Sequence, residues 1–209
     1  MKLLITFNYF EGEFLLKKAK IIKEKIIFKD KKQSSKLYLL ELFDKNFYFA
    51  FLGMTQIIAM PSLQKILDEN PEINDCLIFG SAGSYDYNVG KLVVLNGFSY
   101  KHDILNKYFK MNIKLPKWIK KTASLPEIEI FNSVGVNDIE KPDNKDNNLK
   151  ICYDMESPEI AYLLKINKKN SVFFRIITDF GEIDFEKIKK VYASKTENLL
   201  IFINTFLKN

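Results

Sequence analysis

Arginine, histidine and cysteine are nearly missing from this chain. Of the 32 basic side chains among 209 residues, only Arg175 is an arginine; the others are lysines. Proteins that read base edges rely on the bidentate guanidinium fork. The formal charge of +6 is therefore not read as a nucleic-acid footprint. The lysines of "KKAKIIKEK", "KDKKQSSK", "KWIKK" and "EKIKK" read as solvated faces, and no nucleic-acid partner is expected. With a single histidine, His102, a zinc cluster has almost no material. No metal or organic cofactor is expected. Cys76 and Cys152 each stand in an apolar run, so buried thiols in a reducing, cytoplasmic compartment are expected rather than a disulfide. No apolar run reaches 18 residues, and no membrane span is expected.

What is present is apolar and patterned. Hydrophobic residues make up 47% of the chain, which at this length suits one domain over residues 1–209 that buries roughly 70% of its unfolded surface. The opening "MKLLITFNYFEGE" reads as a core strand rather than a signal peptide, because acidic residues follow and no small-residue cleavage site is evident.

Along the chain, Lys2 to Phe7 reads as the first strand. Phe14, Leu15, Ala19 and Ile22 at helical spacing predict a helix from Phe10 to about Lys25. Leu37 to Phe43 and Phe47 to Leu52 read as a hairpin around "DKN". Gln56 to Asp68 is helix-like, with Pro61 in its first turn or kinking it. The apolar run Cys76 to Phe79 breaks into Gly80-Ser81-Ala82-Gly83-Ser84, and a strand follows over Lys91 to Phe98. Asp103 to Pro126 shows no clear pattern. Glu127 to Phe131 reads as a short strand, Asp138 to Asn148 as a polar loop, and Leu149 to Tyr153 as a strand. Ser157 as N-cap with Pro158 behind it starts a helix running to about Ile166. Val172 to Thr178 is a β-rich run, and Phe185 to Phe206 reads as one long terminal helix.

Strands that alternate with helices and lack polar alternation imply an α/β fold with the sheet covered on both faces. Ligands in such folds sit at the carboxyl ends of strands. Three ends carry chemistry: Gly80-Ser81-Ala82, Asp154-Met155-Glu156 and Thr178-Asp179.

Four segments, in this order, resemble the methylthioadenosine/S-adenosylhomocysteine nucleosidases of the purine nucleoside phosphorylase superfamily. "FEGEFLLKKAKI" is similar to that family's acidic turn into the first helix, and "IFGSAGSYDYNVGKLVVLNGFSYKHD" to its strand and Ser-Ala-Gly loop. "YDMESPEIAYLL" resembles its Met-Glu helix start, and "VFFRIITD" the strand that ends in its catalytic aspartate. "FLGMTQIIAM" is a weaker echo. The resemblance implies a three-layer α/β/α domain with a mixed central sheet, a purine nucleoside as partner, and a homodimer.

It also implies roles. Cleaving a purine N-ribosidic bond moves electrons onto the base and leaves an oxocarbenium-like ribose, so an acid at the base and a carboxylate at the water both help. Asp179 matches the acid at purine N7. Glu156 matches the carboxylate that holds the ribose hydroxyls, with Met155 packed against the sugar. Ser81, Ala82 and Gly83 match the pocket wall, where small residues leave room for the nucleoside. Glu13 is favoured for the water-activating carboxylate, with Glu11 as the competing assignment, because Gly12 stands where a glutamate of the acidic triplet is usual. The family's base-stacking loop has no counterpart in "IFNSVGVND" (Ile130 to Asp138). Three readings therefore stand side by side: a hydrolytic nucleosidase, a phosphorylase, and a binding homologue without turnover. A phosphorylase needs an anion site, usually supplied by arginines or glycine-rich amides, and Arg175 alone speaks against it.

Overall fold

A computed structural model describes residues 1–29, 34–53, 56–84, 88–102, 107–121, 129–135, 151–154, 156–179 and 184–209. The chain opens with β1 (Lys2–Thr6), α1 (Tyr9–Lys18), β2 (Lys20–Lys29), β3 (Ser34–Leu42), β4 (Lys45–Phe51) and α2 (Gln56–Glu69). It continues with β5 (Asp75–Gly83), β6 (Leu92–His102), β7 (Lys107–Asn112), a 3₁₀ turn (Lys117–Lys121) and β8 (Glu129–Gly135). It closes with β9 (Ile151–Asp154), α3 (Ser157–Ile166), β10 (Asn170–Asp179), α4 (Phe185–Ser194) and α5 (Thr196–Lys208).

The ten strands form one mixed sheet in the order β10-β6-β8-β9-β5-β1-β4-β3-β2, with β7 on β6. A further pairing of β10 with β5 closes five of these strands into a ring. At the centre, β1, β5 and β10 run parallel, so Thr6, Gly83 and Asp179 end at one edge. Successive residues alternate between two cores. Leu3, Ile5, Cys76, Ile78, Phe173 and Ile177 pack with α2 and α3 on one face. Leu4, Leu77, Phe79, Phe174 and Ile176 pack with α1, α4 and α5 on the other. This is the three-layer α/β/α arrangement, and it explains why these strands lack a polar face. Both cysteines are free and buried, and burial pushes the Cys76 thiol up to about 12. Among the described residues no helix is long and apolar enough to cross a membrane.

Three expectations change. The first helix ends at Lys18, where Ala19 turns extended (φ −92°, ψ 151°). Lys20–Lys29 is instead an edge strand on β3, with bulges between Ile21 and Lys23 and between Ile26 and Phe28. Its β-branched isoleucines suit a strand, and the bulges and lysines keep a long edge from pairing further. The terminal helix is two helices broken at Lys195. There Ser194 and Thr196 turn their hydroxyls back onto the Val191 and Ala193 carbonyls, in competition with the helical ladder. Ser157 does not cap α3; its hydroxyl accepts a hydrogen bond from Arg175. The Asp154 carboxylate caps in its place, accepting from the Glu156 and Ser157 amides at 3.0 and 2.6 Å. The expected hairpin is present, with a turn at Phe43-Asp44, both at positive φ. The segment of uncertain pattern holds β7 and the 3₁₀ turn. The polar loop at 138–148 lies outside the described residues.

Candidate active site

The carboxyl edge of the parallel strands gathers the chemistry. Glu11, in the first turn of α1, is 2% exposed. Its Oε1 accepts from the Ser81 amide at 2.7 Å and the Ser81 hydroxyl at 2.8 Å. Its Oε2 accepts from the Thr6 hydroxyl at 2.8 Å and the Asn8 amide at 3.3 Å. A carboxylate offers about four lone-pair directions, and all four are taken, so Glu11 is held in one orientation by β1, β5 and its own helix start.

Gly80 is small for this carboxylate. A Cβ at Gly80 would stand 2.9 Å from Glu11 Oε1 and 3.1 Å from Oε2, closer than a side chain tolerates. Gly12 is small for a different reason: a Cβ there would run into the rings of Phe49 and Phe51, reaching 2.9 Å from the latter. Both rings are buried on β4, so α1 lies directly on them. That contact accounts for the glycine in place of a glutamate.

Glu13 lies elsewhere. It sits on the outer side of α1, its side chain 37% exposed and ion-paired to Lys17 at 2.5 Å. Glu11 and Glu13 are roughly 200° apart around a helix, so only one of them faces the sheet. The readable signal was spacing: Leu15, buried four residues after Glu11, marks the inward face.

A second group forms where β9 passes into α3. Arg175, 1% exposed on β10, donates Nε to Asp154 Oδ2 at 3.1 Å and Nη2 to Ser157 Oγ at 2.6 Å. It lies over the Phe7 ring at 5.8 Å. Burial alone would lower its pKa, but the Asp154 and then Glu11 carboxylates outweigh it and hold it raised. Glu156 stands at the start of α3 beside this group. Burial first, then the charges of Asp154 and Glu11, push its carboxyl well above its ordinary value of 4.5.

Asp179 ends β10 opposite Gly83, after a register shift at Ile177. Its carboxylate accepts from the Thr178 hydroxyl at 2.9 Å, and its backbone carbonyl from the Ser84 amide at 3.0 Å. Gly83 also faces Tyr153 of β9, so the ends of β5, β9 and β10 meet at this residue. The Ala82 methyl packs into the α2–α3 core. Met155 and the side chains of β8 lie outside the described residues. The structure thus brings Glu11, Ser81, Glu156 and Asp179 to one edge and leaves Glu13 off it. Asp154, named in the sequence reading only as part of a strand end, belongs to the same edge, as do Thr6, Ser157 and Arg175, to which that reading gave no part in the site.

No protein-family model and no curated protein matches the sequence. Solved structures do. The chain is similar to the 5′-methylthioadenosine/S-adenosylhomocysteine nucleosidase of Neisseria meningitidis in complex with methylthio-immucillin-A, at 17% identity over 99% of each chain with a TM-score of 0.77. The chain has the fold of these nucleosidases. The Streptococcus pneumoniae nucleosidase in complex with 8-aminoadenine superposes at a TM-score of 0.76, with 14% identity over 98% of this chain and 99% of that one. The Campylobacter jejuni nucleosidase does so at 0.74, with 14% identity over 99% of each. The nucleosidase fold is therefore matched end to end at an identity too low to carry function by itself.

Proposed function

We propose that the protein is a purine nucleosidase that hydrolyses the N-ribosidic bond of a nucleoside of the methylthioadenosine/S-adenosylhomocysteine type. The observation that carries this reading is Glu11, a buried carboxylate fixed by four donors beside Ser81, at the strand edge that also holds Glu156 and Asp179. In this mechanism the C1′–N9 bond breaks and its electron pair moves onto the base. The Asp179 carboxyl gives its proton to N7, so the base leaves neutral. A water oxygen bonds to C1′. Its proton passes to Glu11 through the Ser81 hydroxyl, which donates to Glu11 and keeps lone pairs to accept from the water. Glu156 holds the ribose hydroxyls, and Met155 belongs against the sugar. The water-activating role moves from Glu13 to Glu11, because Glu13 is committed to Lys17 on the outer side of α1.

Hydrolysis is favoured over phosphorolysis because the guanidinium of Arg175 is already engaged by Asp154 and Ser157. A homodimer in a reducing cytoplasm belongs to the same reading, and sedimentation of the purified chain tests the dimer.

The test is base release from methylthioadenosine, S-adenosylhomocysteine, adenosine and inosine, each with and without phosphate, beside an Asp179→Asn control. Free base without phosphate, lost in the variant, supports the reading. Release only with phosphate would make the protein a phosphorylase. Nucleoside binding without product would make it a binding homologue.

A further inference from the structure

The other edge of the sheet, where β1, β5 and β10 begin, carries a cleft of about 650 Å³. Its floor is the first rung of the parallel strands, where Lys2 pairs in register with Asp75 and Asp75 with Asn170. Its walls are the segment before the 3₁₀ turn and the C-terminal ends of α3 and α5. Six lysines line it: Lys2 on the floor, Lys114 and Lys117 on one wall, and Lys165, Lys168 and Lys169 at the end of α3. Asp75 is the one side-chain carboxylate among them, and it accepts a hydrogen bond from Asn170. Among the described residues, Lys114, Lys117, Lys165 and Lys168 form no ion pair. Six lysines against one side-chain carboxylate leave the lining with an excess of positive charge, and like charges repel one another, so an anion in the cleft would relieve that repulsion.

Two features indicate a formed site rather than a solvated patch. Lys2 and Lys169 are anchored: Lys2 Nζ donates to the Phe206 carbonyl at 2.5 Å and lies 5.1 Å from the centre of its ring, and Lys169 Nζ donates to the Ile73 carbonyl at 2.5 Å. Lys168 sits at φ +55°. The amides of Lys168 and Lys169 reach back to the Lys165 and Leu164 carbonyls, the Schellman ending at whose left-handed position glycine is usual. A lysine there is strained, and backbone strain of this kind concentrates at functional sites.

We propose that this cleft binds a small anion carrying several phosphate groups, with the lysines as its phosphate contacts. Lysine serves phosphate as a point charge where no arginine fork is present. The volume is that of a small-molecule site, not of the extended groove that tracks a nucleic-acid strand. Trp118, packed on Phe202 and Phe206 at ring distances of 5.5 and 6.2 Å, also lines the cleft and can take a base if the ligand is a nucleoside polyphosphate rather than an inorganic chain.

The experiment is calorimetric titration of the full chain with inorganic tripolyphosphate and with ATP, at low and high salt. It is repeated with the double variant Lys114→Gln/Lys168→Gly and with Glu11→Gln. The expected result is tripolyphosphate binding that weakens with salt, falls by roughly 25-fold in the double variant at about fivefold per lysine, and is unchanged by Glu11→Gln. Glycine is the residue the backbone prefers at Lys168, so thermal melting of the double variant checks that its fold is kept. ATP binding more tightly than tripolyphosphate, with the excess lost in Trp118→Leu, supports the site with a nucleoside polyphosphate as ligand; equal binding supports it with the inorganic chain. No binding of either anion, binding indifferent to the double variant, or binding only of a single-stranded oligonucleotide would overturn the proposal.

Discussion

A Cβ added at Gly80 would stand 2.9 Å from the Glu11 carboxylate, so no side chain can be added there without moving it. Gly80→Ala is expected to shift that carboxylate off Ser81, to lower kcat for base release by on the order of 10²-fold, and to lower the thermal midpoint because buried donors lose their acceptor; paired kinetics and melting check both halves. Glu156 makes a prediction of opposite sign for stability. Its carboxyl is raised in the folded state by burial and by Asp154 and Glu11, so the folded chain holds that proton more tightly than the unfolded one. The resulting stability is fully present below pH 4.5 and is lost as pH rises toward the folded value. Glu156→Gln removes this loss. It should melt higher than wild type at neutral pH, match it near pH 4, and still lose affinity for the ribose. A gap in melting temperature that does not grow with pH would contradict the assigned burial. These residues also mark what was legible. Ser81, Glu156 and Asp179 could be read as chemistry at strand ends. The choice between Glu11 and Glu13 needed the helix phase, which a short first turn beside a glycine leaves weakly marked.

At the scale of elements, α1 is held against β4 through Gly12, with Phe49 and Phe51 in the way of any added carbon. Gly12→Ala is expected to destabilise the protein by about 1–3 kcal/mol through overpacking, less about 1 kcal/mol regained in helix propensity. Because α1 carries Glu11, activity should fall as well. Urea unfolding of the variant gives the first number. Strands buried on both faces were readable because their apolar runs are continuous. The stretch after Lys18 was misread because isoleucines and lysines at 20–29 satisfy a helical spacing as well as an edge strand. What decides between them is pairing with β3, a contact that no local pattern contains. Likewise Ser157 has the identity of a cap, but its hydroxyl went to a buried arginine 18 residues away in the chain.

Over the whole molecule, the parallel strands separate two kinds of chemistry. Carboxylates gather at their carboxyl ends, and lysines at their starts. The first gathering was anticipated from the rule for α/β sheets. The second was not, since its lysines come from β1, the segment at 114–117 and the end of α3, and each looks like ordinary solvated charge in its own stretch. Lys168→Gly belongs here as a check that the lysine is kept against local preference. It should raise stability by roughly 1 kcal/mol as left-handed strain is relieved, measured by denaturant unfolding. The central claim, hydrolysis with Glu11 at the water, is tested most directly by comparing adenine release from methylthioadenosine, without phosphate, by wild type, Glu11→Gln and Glu13→Gln. The account predicts turnover by wild type and by Glu13→Gln, and a loss of about 10²- to 10⁴-fold in Glu11→Gln. Full activity in Glu11→Gln with loss in Glu13→Gln, or no release by wild type, would contradict it.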